Sequence, residues 1–405
     1  MRADVVIVGA GPAGTATAIL LAEQGHEVLL LDRARFPREK ICGEYLSPEG
    51  SRILDRLGVL KAVEASGARP LRGMRIIAPD GTILVGDYPR SGPHRGYRDH
   101  ALAVPRRMFD AALLARAQEL PVTVREGFRV TDLVVDGQRV AGVEGVCAGG
   151  SQEPERLEAR LVIGADGRTS VVAHRLGLIT PHPWLARLAL MTYVEDAAHD
   201  RDRGEIFIAP PAYSILNPIG NGLVNLSLVV PILEGARHKE DLAGYLDQTV
   251  RALPYLRDRL RAARRVSPVR ALGPLAYRVE PPRHDGILLV GDALGFLDPF
   301  TGEGLFTALR SAELAAEVAD DALRSGDVSA AALAPAHGRR VAEFAAKTRV
   351  CVLLQRLIAR RRLAVHLAHR LARRPAQLEL LMGVIGDFVP PREVLSPRFI
   401  ASLLF

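Results

Sequence analysis

The chain has 405 residues, of which 48% are apolar and 24% charged, and its formal net charge is +7 at pH 7. This length leaves room for two or three structural units around a large core, and the composition is that of a globular protein. The excess charge comes almost wholly from arginine, without the aromatic and basic interleaving of a nucleic-acid reader, so nucleic acid is not an expected partner.

The chain opens on an apolar strand, Asp4-Val5-Val6-Ile7-Val8, with no signal-peptide pattern. Gly9-Ala10-Gly11-Pro12-Ala13-Gly14 follows, then a helix over Thr15–Gln24 and a second strand, Val28–Leu31, ending on Asp32 and Arg33. Strand, glycine turn, helix, strand and acid stand in the order a dinucleotide site needs. Gly9 permits the tight turn, Gly11 lets a pyrophosphate approach the backbone, and Gly14 lets helix and strand pack closely. The helix N-terminus offers free N–H groups and partial positive charge, and Asp32 can accept hydrogen bonds from a ribose.

Further on, Gly81–Val85 is strand-like, and Val104-Pro105-Arg106 leads into a helix over Met108–Glu119. Strands are expected around Val122–Val124 and Val130–Val135, then a hairpin across Asp136-Gly137 and a strand over Leu161–Gly164. The pattern changes between 181 and 270, where strand-like runs (Leu188–Val194, Glu205–Ile208, Gly222–Val230) alternate with proline and glycine turns, with a helix near Lys239–Ala252. A buried strand at 286–290 returns to the first unit, a helix follows over Phe306–Leu323, and 331–405 reads as helices. Three domains are expected: a discontinuous first domain (1–75, 101–180 and 271–330), a substrate domain (76–100 and 181–270) and a helical C-terminal region (331–405).

No apolar run reaches ~18 residues, so no spanning helix is expected. Val350–Leu371 interleaves aliphatic residues with Arg356, Arg360, Arg361, Arg362 and Arg370. That pattern suits a helix pair packed on the first domain with arginines outward, or a peripheral contact with an anionic membrane. Cys42, Cys147 and Cys351 lie too far apart for a metal or disulfide framework, so no metal is expected and a cytoplasmic location is.

Two more segments carry chemistry. In Gly291-Asp292-Ala293-Leu294-Gly295-Phe296-Leu297-Asp298-Pro299-Phe300-Thr301-Gly302-Glu303-Gly304-Leu305, Asp292 ends a strand and can bond a sugar-chain hydroxyl. Gly302 and Gly304 open a helix and leave room for a flat ring. Glu303 is either a polarising group or a helix cap. The other segment, Gly164-Ala165-Asp166-Gly167-Arg168-Thr169-Ser170, is again strand then turn. Together the three motifs point to a flavin.

On these motifs the chain resembles the para-hydroxybenzoate-hydroxylase-type flavoprotein superfamily over roughly residues 1–325. The resemblance implies an α/β fold: a Rossmann-type, glutathione-reductase-like FAD-binding domain, an inserted β-sheet substrate domain and a C-terminal helical segment. It implies FAD with its adenosine end at Gly9–Gly14 and Asp32, and with Asp166-Gly167 near the pyrophosphate. Gly291 and Asp292 would hold the ribityl region, Pro299 and Gly302–Leu305 would lie against the isoalloxazine, and Arg106 would open a helix near the cofactor.

Lys40-Ile41-Cys42-Gly43-Glu44 and Pro299–Gly304 resemble the geranylgeranyl-reductase-like branch. Tyr213-Ser-Ile-Leu-Asn-Pro-Ile-Gly220 resembles that branch's substrate signature, with Ile215 replacing its Trp, Asn217 its Phe, and the backbone turn retained. The flavin-dependent halogenases share the architecture, but no lysine here stands in their Trp-x-Lys setting.

The expected activity is FAD-dependent oxidation of a lipophilic small molecule, with a monooxygenase acting on a phenolic or polyketide-like ring placed first. NAD(P)H would bind transiently, or a partner reductase would supply electrons. The alternatives are an ene-reductase of prenyl chains and a flavoprotein without turnover that acts with a partner. Cys42, Glu44, Tyr45 and Tyr213 are the candidate catalytic residues. A packing role for Cys42 stands beside a redox or gating one.

Overall fold

The computed structural model describes residues 2–90, 93–149 and 153–404. Met1, Ser91, Gly92, Gly150, Ser151, Gln152 and Phe405, which fall inside the expected domain ranges, lie outside the described residues.

The architecture is α/β. A seven-stranded sheet runs in the order Val122–Glu126, Val28–Asp32, Arg2–Val8, Glu155–Gly164, Arg139–Cys147, Phe128–Asp136, and Ile287–Leu289 pairs with the far end of Glu155–Gly164. The first four strands are parallel, and Glu155–Gly164 turns the sheet antiparallel through Arg139–Cys147. The central strands are buried on both faces, which is why Val5–Val8 and Val28–Leu31 read as continuous apolar runs. Helix Pro12–Glu23 is buried along nearly its whole length, packed between the sheet and the helices Gly304–Ser325 and Arg106–Gln118. Its alanines and threonines are what such close packing requires.

An eight-stranded, mainly antiparallel sheet runs Arg264–Arg265, Arg187–Glu195, Leu223–Pro231, Ala212–Gly220, Arg203–Ala209, Gly73–Ile77, Ile83–Asp87, with Arg270–Leu272 also on Arg187–Glu195. It takes up Gly73 and Leu272, residues just outside the ranges expected of the substrate domain. Tyr213–Gly220 is not a turn. It lies in a strand that pairs along its length with Leu223–Pro231 and becomes irregular only between Pro218 and Gly220. Gly81 likewise sits in a turn, and the strand there is Ile83–Asp87.

Strand alternation gives this sheet two apolar faces. Ile77, Leu190, Phe207 and Leu228 face the helices Leu242–Ala252 and Pro254–Arg259 through Leu246 and Leu256. Ile76, Met191, Ile206 and Val229 face the C-terminal helices Ala330–Ile358, Arg361–Ala372 and Pro375–Ile385 through Val350, Leu371 and Met382. Arg356, Arg360, Arg361 and Arg362 are exposed, as the helical periodicity predicts, but Arg370 is half-buried and donates to the Ser402 carbonyl at 3.4 Å, and Val350–Leu371 packs mainly on the eight-stranded sheet rather than on the first domain. Among the described residues, no helix is long and apolar enough to cross a membrane.

Candidate functional site

The three motifs meet at the carboxyl ends of the parallel strands. A Cβ on Gly9 would lie 2.6 Å from the Ala165 carbonyl oxygen, and one on Gly291 would lie 2.7 Å from Ala13 Cβ. Each contact is possible only because the residue is glycine. Asp32 receives the Ala10 N–H on Oδ2 at 2.9 Å and the Ala34 N–H on Oδ1 at 2.8 Å, which ties the second strand to the glycine turn. The helix after Gly11 has no side-chain cap, so its first N–H groups face the groove. A Cβ on Gly11 would meet only Arg38 Nη2, at 3.7 Å.

Cations surround this opening. Arg38 lies 3.1 Å from Asp110 and 3.6 Å from Asp32, while Arg106 pairs with Asp110 in a bidentate bridge of 2.8 and 2.9 Å. Lys40 Nζ lies 4.0 Å from a Cβ placed on Gly167. Burial, and then the charges of Arg106 and Arg38, push the Lys40 pKa down, against the opposing pull of Asp292. Burial pushes the Asp292 carboxyl up, opposed by Arg106, Lys40, Arg340 and Arg168. Arg33 is exposed at the rim. Asp166 uses Oδ2 to accept the Val171 N–H at 2.7 Å, and its Oδ1 is buried without a partner. An open glycine cradle, a cation cluster and an orphaned carboxylate oxygen fit the phosphates and hydroxyls of a dinucleotide.

Beside the groove, Cys42-Gly43-Glu44 forms a strap clasped to the eight-stranded sheet. Glu44 is fully buried at φ +56°. Its Oε1 accepts the Arg106 N–H at 2.9 Å and the Tyr193 hydroxyl at 2.7 Å, and its Oε2 accepts from Asn225 at 3.0 Å. Asn225 also donates to the Cys42 carbonyl at 2.8 Å, and Asn217 to the Gly43 and Glu44 carbonyls at 2.8 and 3.2 Å. Burial raises the Glu44 carboxyl above its ordinary pKa against the pull of these donors. The Cys42 thiol is also pushed up, chiefly by its desolvated setting, while Arg106 pulls the other way.

The Pro299–Leu305 turn faces the same region. Gly302 adopts φ +66°, and a Cβ there would lie 2.7 Å from the Tyr45 ring. That space is therefore closed by Tyr45, while Gly304 has only Phe296, at 3.9 Å. The Tyr45 hydroxyl bonds Tyr88, and burial holds both phenols protonated. Glu303 does not cap its helix by a side-chain bond. Its carboxylate meets Cys351 Sγ at 3.3 Å and Lys347 at 3.6 Å, and Lys347 also pairs with Asp387. Residues of the C-terminal helices thus reach the flavin-type motif.

Tyr213 is fully buried and donates its hydroxyl to Asp298 Oδ1 at 2.6 Å. Burial raises the Asp298 carboxyl to about 6. The native state therefore binds a proton that the unfolded chain releases near pH 4. This contribution is fully present below pH ~4 and is lost as pH rises through about 6. The expected size is about 3 kcal/mol of unfolding free energy. Urea titrations of Asp298→Asn and the parent from pH 4 to 7 check this: stability should fall less in the variant than in the parent, by about that amount, the remaining fall coming from other buried carboxyls such as Asp387.

Sequence reasoning missed Tyr193, Asn217 and Asn225 as strap-holding groups, and Arg187 and Gln355 beside Asp298. In the sequence Asn217 stands out only as the replacement of an aromatic residue.

Residues 2–343 match the FAD binding domain family. The chain is 32% identical over 332 residues to the digeranylgeranylglycerophospholipid reductase of Methanothrix thermoacetophila, covering 81% of this chain and 80% of that one. It is 30% identical over 381 residues to the 6-methylpretetramide 4-monooxygenase of Streptomyces rimosus, covering 88% and 84%. The solved flavoprotein/dehydrogenase of Cytophaga hutchinsonii superposes with a TM-score of 0.85 at 22% identity, covering 98% and 96%, which speaks for the fold. With the groove's chemistry, these likenesses make the chain a member of the FAD binding domain family and an FAD-dependent oxidoreductase.

Proposed function

We propose that the protein hydroxylates a phenolic or polyketide-like ring on a lipophilic molecule, using O₂ and electrons from NAD(P)H or a partner reductase. FAD, when bound, supplies the redox and oxygen chemistry. Gly9, Gly11, Pro12, Ala13, Gly14 and Asp32 would hold its adenosine and pyrophosphate end, and Arg33, Asp166, Gly167, Gly291 and Asp292 its central part. Cys42, Gly43, Arg106, Pro299, Gly304 and Leu305 would surround the ring, and Gly302, whose Cβ side Tyr45 fills, would meet it only through its backbone.

The observation that carries this reading is the clasp at Asn217. Where the reductase branch presents an aromatic residue, this chain spends an amide on holding the Gly43 and Glu44 carbonyls. Ile215 stands where that branch has tryptophan. The wall that would grip a prenyl chain is thereby altered, while the strap beside the cofactor is made rigid. The likeness to the Streptomyces rimosus monooxygenase extends over more of the chain than that to the Methanothrix reductase.

Reduction of prenyl C=C bonds is the second reading, favoured by the reductase relative and by the Pro299–Gly304 segment. The test supplies purified FAD-loaded protein with NADH or NADPH, ¹⁸O₂ and a panel of alkylphenols. One ¹⁸O atom per product is expected. Saturation of a digeranylgeranyl lipid under anaerobic conditions, with no label entering any phenol, would establish the reductase instead.

A further inference from the structure

Four elements converge one residue before Pro299: the start of strand Arg187–Glu195, the strand Ala212–Gly220, the turn at Asp298 and the last turn of helix Ala330–Ile358. They bring together Arg187, Tyr213, Asp298 and Gln355. Asp298 Oδ1 is saturated, accepting the Tyr213 hydroxyl at 2.6 Å, the Phe300 N–H at 3.0 Å and the Gln355 amide at 2.6 Å. The rest of the cluster is not. Asp298 Oδ2, Arg187 Nη1 and Gln355 Oε1 are all buried without a hydrogen-bond partner. The residues carrying them are only 3%, 7% and 1% exposed. Arg187 Nε stands 3.9 Å from Asp298 Oδ2, near enough to balance charge and too far for a hydrogen bond.

Buried polar atoms rarely stay unpaired, and three around one carboxylate mark a place that receives a polar group. Two of the free atoms are acceptors and one is a donor. A hydroxyl matches this set: its proton goes to Asp298 Oδ2 or Gln355 Oε1, and its oxygen accepts from Arg187 Nη1. A carboxylate would meet the Asp298 charge, and a prenyl hydrocarbon would leave all three atoms unpaired. The surroundings suit an aromatic ring. Phe300 packs edge-on against Tyr213 with centroids 5.1 Å apart, and Ile215, Phe296 and Leu354 are half-buried against the same apolar cluster.

We infer that Arg187, Asp298 and Gln355 form a hydroxyl-reading site that holds the phenolic group of an aromatic substrate beside the Pro299–Gly304 turn. The inference deepens the monooxygenase reading and rests on it for the substrate's location.

The test measures binding of 4-nonylphenol and of nonylbenzene, which lacks the hydroxyl, to the FAD-loaded protein by calorimetry. The parent should prefer the phenol by about tenfold or more, because a site built to bond a hydroxyl rejects the analogue without it. In Gln355→Met the preference should fall to about twofold or less, with nonylbenzene affinity unchanged. Arg187→Met, checked for folding by its FAD content and melting temperature, should behave alike. No preference in the parent, or an undiminished preference in a folded variant, overturns the inference and leaves the three atoms to water. Preferential binding without hydroxylation keeps the site and removes the monooxygenase reading. Hydroxylation by variants with undiminished preference does the reverse.

Discussion

Gly11→Val is expected to purify as a colourless, folded protein. A Cβ at Gly11 meets nothing of the protein but the far end of Arg38, at 3.7 Å, so the fold tolerates it. The same Cβ projects into the opening below the unpaired N–H groups of helix Pro12–Glu23, where a pyrophosphate would have to approach. Affinity for FAD should drop at least about 100-fold, or about 3 kcal/mol, while the melting temperature of the apoprotein stays near the parent's. Gly14→Val supplies the contrast. Its Cβ would lie 1.9 Å from the Gly9 carbonyl oxygen, a backbone atom with no room to move, so that variant should lose the fold itself. Flavin absorbance after purification and thermal melting of both proteins check the pair. A Gly11→Val protein that stays fully yellow would remove the pyrophosphate assignment.

Glu44→Ala should cost the native state about 3 kcal/mol or more. The substitution leaves the Arg106 N–H and the Tyr193 hydroxyl without their acceptor, removes one of the two acceptors of the Asn225 amide, and frees a strap residue held at φ +56°. The damage should extend beyond stability. The strap joins the seven-stranded sheet's groove, through Arg106, to the eight-stranded sheet, through Asn217 and Asn225, so turnover should fall further than FAD affinity. Glu44→Gln keeps the acceptor for Arg106 and Tyr193 but turns an amide toward the Asn225 amide. It should lose about 1–2 kcal/mol. Denaturant unfolding of the three proteins, with FAD titrations, measures both effects.

The parts of this site that were legible in the sequence are those made by neighbours in the chain. Gly9–Gly14 with Asp32, and the segments around Asp166 and Asp292, combine a strand, a turn and a helix start within a few residues, and their chemistry is local. Several strands of the eight-stranded sheet were legible for the same reason, as strand-like runs set off by proline and glycine turns. What stayed hidden depends on distant pairing. Asn217 and Asn225 look like ordinary polar positions in strands, and nothing near them announces bonds to Cys42, Gly43 and Glu44. Arg187 stands just before the expected strand Leu188–Val194 and Gln355 within the arginine-rich tail, and neither segment singles them out, yet both are buried against Asp298. Tyr213–Gly220, which the resemblance implies to be a turn, is extended instead, because its cross-strand partners come from Leu223–Pro231 and nothing within the segment announces them.

The interleaving of the two sheets has a consequence for how the chain is made. Gly73–Ile77 leaves the ribosome long before its parallel partner Arg203–Ala209, and Glu155–Gly164 long before Ile287–Leu289. Neither sheet can close in the order of synthesis, so the nascent chain carries uncovered apolar strands until the last partners emerge. The C-terminal helices, made after the strands of both sheets, cover the face that holds Ile76, Met191 and Ile206. A chain stalled before residue 330 would present that face to solvent and should be a strong client for chaperones that hold extended apolar segments.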